Sequence, residues 1–242
     1  MLTEKEMIEY ELLHFLTDVE SPIGAVTLSL LLKGKDLDVS SASVGRILTG
    51  FDYRGLTAKH GFKGRMLTEA GVKRLADLEN NRRLEEISLK FYNSMDADSK
   101  SQLINVLVAR RGIERESARL AAINATEGDI RNLSKVYSLQ AKDAADGVMS
   151  PDNDVLFHQT IARASKNNVL VAAYDYIWQN GRFSPVMEYI RSSVGGVLAA
   201  DHKRILDALI NRNSDEADRS MAEHIDGLIR DVNRYWTMAN GT

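Results

Sequence analysis

Apolar residues recur at helical spacing along most of this chain. Ile8, Leu12, Leu13, Phe15 and Leu16 form one stripe and predict a first helix over residues 4–18. Ser21-Pro22 ends it, since proline cannot continue the hydrogen-bond ladder. Residues 24–32 predict a short second helix, and LKGKDLDVSS a turn. Ser40 or Ser41 is placed to cap a third helix that runs to about Phe51. The period then changes. Residues 56–59 and 65–67 read as two short strands around a turn at His60–Gly64. Thr68 caps a connecting helix over 69–93, with Asn80-Asn81 as the boundary between domains 1–80 and 81–242.

From about Asp96 onward every segment reads as helical: 99–111, 114–124, 127–144, 152–164, 169–179, 184–198, 201–211 and 214–236. Only three prolines occur, at 22, 151 and 185, so long helices are permitted. The expected fold is mainly α. An N-terminal winged helix-turn-helix (three helices, then a hairpin) is followed by a C-terminal bundle of six or seven helices.

Composition narrows the classes. With 242 residues and 44% hydrophobic content the chain can build full cores. There is no cysteine, so any metal must be held by imidazole and carboxylate. The longest apolar-rich run without charge, residues 21–32, is too short to span a bilayer. The acidic, amphipathic start MLTEKEMIEYELL is unlike a signal peptide, so no membrane association and a cytoplasmic location are expected.

The net charge of -3 gives no global attraction to nucleic acid. Between Ser40 and Arg74, however, Arg46, Arg54, Lys59, Lys63, Arg65, Lys73 and Arg74 outnumber Asp52 and Glu69 by five. A local basic surplus on a helix-turn-helix and wing is what phosphate contacts require. Ser41, Ser43, Arg46 and Thr49 fall toward the start or exposed side of the third helix. Arg46 is the candidate for a base edge, because a guanidinium pairs guanine at two points. Lys59, Lys63 and Arg65 would meet phosphate or the minor groove. The competing reading is a solvated surface, with serines that only cap.

Chemistry concentrates in the last third. Asp154 and His158 are four apart, on one face of their helix. His202 lies beside Ile205, Leu206 and Leu209, and His224 beside Met221, Ile225 and Leu228. Three imidazoles and a carboxylate suit a divalent ion, zinc first, with nickel, manganese or iron also compatible. The alternative is three histidines hydrogen-bonded at the core edge. Tyr174, Tyr176, Trp178 and Phe183 are either core or the lining of a cavity.

DNDVLFHQTIARASKNNVL, LAADHKRILDALINRNSDEADRSMAEHIDGLI and ARRGIERESARLAAINAT together resemble the FCD effector domain of FadR-type GntR-superfamily regulators, over roughly residues 85–236. The resemblance implies an antiparallel helical bundle and a dimer. It implies a buried metal on Asp154, His158, His202 and His224, next to a site for a small organic acid. Arg110, in VARRGIE, aligns with an arginine common in the family, and Arg191 is a second candidate to pair the effector carboxylate. The front domain lacks the GntR-type Pro-Ser-Glu-Arg run. VSSASVGRILTGFDYRGLTAKHGFKGRMLTEAG is similar instead to the winged helix of ribonuclease R and of some archaeal nitrogen regulators. The expectation is a homodimeric regulator of a double-stranded operator rather than an enzyme. A metal-dependent hydrolase or lyase on the same site is the alternative.

Overall fold

The computed structural model describes residues 3–17, 19–95, 99–145, 151–178, 183–195 and 199–239. Asp18, Asp96, Gln179 and Leu198, each at the end of an expected segment, lie outside them. Among the described residues the chain forms eleven helices and one two-stranded sheet, in two compact units, Met1–Lys90 and Phe91–Thr242.

The first unit is a winged helix-turn-helix. Helix α1 (Glu4–Phe15) opens with a capping box: Thr3 Oγ1 accepts from Glu6 N, and the Glu6 carboxylate accepts from Thr3 N at 2.9 Å. Helices α2 (Ala25–Lys33) and α3 (Ser41–Tyr53) follow, and Ser40 is the residue that caps α3. Strands β1 (Thr57–Lys59) and β2 (Arg65–Leu67) pair antiparallel, with Thr57 opposite Leu67 and Lys59 opposite Arg65. Ile23 adds a bridge to Arg65. Gly64 lets these backbones meet: its φ is +131°, and a Cβ there would stand 2.2 Å from the Ile23 carbonyl carbon. Leu12, Leu13, Leu28, Leu32, Val44, Leu48 and Phe51 close the core.

Helix α4 (Glu69–Ser94) buries Leu75 and Leu78 in that same core. It continues unbroken through Asn80 and Asn81, which are exposed; the division between the units falls ten residues later, after Lys90.

The second unit holds α5 (Lys100–Asn124), α6 (Glu127–Ala145), α7 (Pro151–Ala164), α8 (Asn168–Trp178), α9 (Phe183–Val194), α10 (Ala199–Ile210) and α11 (Ser214–Ala239). The two helices expected over 99–111 and 114–124 are one, α5. Gly112 does not break it because it lies on the exposed side, while Arg110 and Glu114 pair across it at i and i+4. Leu103, Leu107, Phe157, Ile161, Ile205, Leu209, Met221 and Ile225 form one shared core, which fixes α5, α7, α10 and α11 side by side. Burying eight such side chains, at about 1.5–3 kcal/mol each, is the main force bringing these helices together.

Candidate metal centre and nucleic-acid face

Three helices of the second unit each carry a histidine to one point. His158 on α7, His202 on α10 and His224 on α11 are buried, each about 1% exposed. One ligand nitrogen from each lies within 4.8 Å of the others. Asp154, one turn before His158, lies beside two of them: its Oδ1 is 3.5 Å from His202 Nε2 and 3.9 Å from His158 Nε2. Phe157 stacks on the His202 ring at 4.3 Å and fixes its plane.

The other ring nitrogen of each histidine faces an oxygen. His158 Nδ1 lies 2.7 Å from Glu114 Oε2, His202 Nδ1 3.0 Å from Gln140 Oε1, and His224 Nδ1 3.5 Å from Asp201 Oδ2. At His202 and His224 the hydrogen bond to that oxygen holds the proton on Nδ1 and leaves the Nε2 lone pair free. All three Nε2 atoms, and Asp154 Oδ1, are buried without a hydrogen-bond partner among the described residues. Four buried acceptors without partners in one region of an apolar bundle are costly unless something shares them. Their chemistry fits a divalent cation: nitrogen from neutral imidazole and one anionic oxygen.

The electrostatics agree. Burial, together with His224 and His158 nearby, pushes His202 well below the usual histidine range. Burial lowers His224 as well, with the hydrogen bond to Asp201 opposing it. Both are therefore neutral near pH 7, the state a metal ligand requires.

The bond between Arg110 and Glu114 supports His158 from behind. Arg110 Nε donates 2.6 Å to Glu114 Oε1, and the guanidinium lies over the Trp178 ring at 4.5 Å. Burial alone would raise the Glu114 carboxyl, but Arg110 and His158 outweigh it and hold it at about 2. Arg110 is thus fully engaged inside the protein. Arg191 on α9 differs. It is 5% exposed, its Nε has no hydrogen-bond partner among the described residues, and its nearest carboxylate, Asp231, is 3.9 Å away. Burial lowers its pKa, against the pull of Asp154 and Asp231. Tyr174 is core: its hydroxyl donates to Val155 O at 2.9 Å and pins α8 to α7 beside Asp154. Phe183 is core too.

Sequence reasoning did not find Glu114, Gln140 or Asp201. Glu114 could have been noticed as the i+4 partner of Arg110, and Asp201 as the neighbour of His202. Gln140 sits on a helix without a ligand and left no local signal.

In the first unit, Ser41 and Arg46 are exposed on α3, and Arg46 Nη2 donates 3.1 Å to Ser43 Oγ. Ser43 Oγ also accepts from the capping Ser40 at 3.0 Å. Thr49 is exposed, with its hydroxyl turned back to Gly45 O. Lys59 and Lys63 are exposed on the hairpin. Arg65 is not free: its Nε donates to both Asp52 oxygens, at 3.0 and 2.9 Å, and its side chain is 13% exposed. Arg54 and Arg74 both bind the buried Glu9 carboxylate. The basic surplus therefore reduces to Arg46, Lys59, Lys63 and Lys73 as exposed cations without these pairings.

The FCD domain profile matches residues 105–227, just over half of the chain, and that of the ribonuclease R winged-helix domain matches residues 10–75. The Uxu operon transcriptional regulator of Escherichia coli K12 is 30% identical over 130 residues, covering 51% of each chain. The putative L-lactate dehydrogenase operon regulatory protein of the same organism is 27% identical over 143 residues, 57% of this chain and 55% of its own. A solved structure described as Streptococcus agalactiae GntR is 20% identical, covers 93% of this chain and 98% of its own, and aligns with a TM-score of 0.48. This chain spans about half the length of the curated relatives it matches. No helix among the described residues is long and apolar enough to cross a membrane.

Proposed function

The chain belongs to the FCD domain family, and on that footing we propose that it is a GntR-superfamily transcription regulator whose operator affinity is set by a small carboxylate at a divalent metal. The observation that carries this reading is the set of four orphaned acceptors, Asp154 Oδ1 and the Nε2 atoms of His158, His202 and His224. Those four residues would hold the ion, zinc in the first place. Bound there, it supplies a positive charge that an organic acid's oxygen can meet. Arg191 stands ready as the second anchor, because its side chain is buried, its Nε has no hydrogen-bond partner among the described residues, and Asp231 stands 3.9 Å away. Arg110 serves instead to hold Glu114 and, through it, His158.

The winged helix would bind double-stranded DNA with α3 in the major groove, through Ser41, Ser43 and Arg46, while Lys59 and Lys63 meet phosphates. Arg65 holds the wing to α3 rather than binding DNA. Two copies of the chain on a palindromic operator suit this mode, in the cytoplasm. The effector acts by binding two states of the regulator unequally. A hydrolase on the same site is disfavoured by the position of Glu223, which pairs with Arg204 at the surface.

Elemental analysis of the purified chain tests the reading, alongside His158→Ala and His202→Ala. About one divalent ion per chain, lost in both variants, is the expected result. A parent without metal and variants equally stable would overturn it. DNA retention that falls steeply with salt separates the regulator from the hydrolase.

A further inference from the structure

Phe62 stands at the tip of the β1–β2 hairpin with its side chain wholly in solvent, at 110% relative exposure. No core contact in the fold requires an aromatic ring there. The turn that presents it is tightly built. His60 N donates 2.8 Å to Gly64 O, and Lys63 N donates 3.1 Å to His60 O. Gly61, at φ +59°, permits the reversal.

The base of the hairpin is locked to α3. Asp52 of α3 accepts from Arg65 Nε and, at 2.6 Å, from Thr57 Oγ1. Ile23 and Arg65 exchange backbone hydrogen bonds at 3.0 Å, and Thr68 Oγ1 bonds Gly55 O at 2.6 Å. The hairpin that carries the ring is therefore held in a set position relative to the exposed face of α3. Exposed Lys59, His60 and Lys63 surround it.

We propose that Phe62 is an apolar wedge for duplex DNA, seated against a base step while the flanking lysines hold the phosphates. This rests on the DNA-binding reading above. Single exposed apolar residues are ordinary, but this one stands on a fixed turn at the tip of a cation-flanked hairpin. Side chains that part base steps are apolar and are flanked by groups that neutralise phosphate. Ordering the ring costs little, since it has only two side-chain torsions and the turn beneath it is already fixed.

The test uses the full chain and a duplex it retains from a random-sequence pool. Binding is measured over a series of salt concentrations for the parent, Phe62→Ala, Phe62→Trp and Lys63→Ala. Phe62→Ala is expected to bind about tenfold more weakly, the size of one base–aromatic contact, with an unchanged slope of log affinity against log salt. Phe62→Trp should recover the affinity. Lys63→Ala should lower the slope by about 0.9, as loss of one phosphate contact does. A 2-aminopurine probe in the duplex should brighten with the parent and not with Phe62→Ala. Parent-like affinity in Phe62→Ala would overturn the wedge while leaving DNA binding intact. A parent that retains no duplex would overturn both.

Discussion

Gln140 ties His202 to the backbone of α7 through the two ends of its amide. Its Oε1 accepts from His202 Nδ1 at 3.0 Å, and its Nε2 donates 2.9 Å to the carbonyl of Asn153, the residue before Asp154. The donation to Asn153 fixes which end of the amide faces His202, and that in turn fixes the imidazole tautomer. One side chain on α6 thereby sets a candidate ligand on α10 and the backbone beside a candidate ligand on α7. Gln140→Leu is expected to weaken zinc binding about 10–100-fold without removing a ligand. Competition against a chromophoric chelator measures this. Parent-like affinity would show that Gln140 does not tune the site.

The two buried arginines should respond in opposite ways to the same change. Arg110→Met leaves the Glu114 carboxylate buried with less compensation, and the expected loss is about 3–5 kcal/mol in denaturant unfolding. Adding Glu114→Leu should return part of it. Arg191→Met removes a buried charge whose nearest carboxylate, Asp231, is 3.9 Å away, so stability should stay level or rise, while stabilisation by small carboxylic acids disappears. Equal losses in the two single variants would refute the distinction.

Removing metal should unmask the cost of the four orphaned acceptors. Thermal melting after chelation is expected to shift downward and to recover when zinc is restored. At free zinc 100-fold above Kd the gain is about 2.7 kcal/mol. His224→Ala should melt at the same temperature with and without zinc. A chelator-insensitive parent would count against a resident ion.

Asp129 gives a pH dependence outside the metal centre. Burial would raise its carboxyl, but Lys166 and the hydroxyl and backbone N–H of Thr126 hold it at about 2, below the ordinary 3.8. A depressed carboxyl stabilises the fold above its unfolded value and loses that contribution as pH falls. The loss should therefore run from 3.8 down through about 2. Asp129→Asn should flatten the stability curve in that window, as read by denaturant unfolding at a series of pH values. An unchanged slope would assign the acid sensitivity to other groups.

The amino-acid sequence alone determined the helices, the wing and the four candidate ligands. Helical spacing of leucine and isoleucine is a local signal, and a short hairpin carries its turn residues with it. The i,i+4 pair Asp154 and His158 is local too, and His202 and His224 each sit within an apolar stripe. The expected division between 99–111 and 114–124 does not occur, because Gly112 is exposed and the Arg110–Glu114 pair spans it. Only the tertiary structure decided that the three histidines meet while an oxygen stands beside each Nδ1. It also decided that Arg110 bonds Glu114 closely while Arg191 stands 3.9 Å from Asp231, and that Asp52 and Glu9 take up three of the seven cations in the basic stretch. Those relationships join residues tens of positions apart, such as Gln140 with His202 and Glu9 with Arg74. Their partners are selected by how helices pack, and no spacing along the chain records that choice.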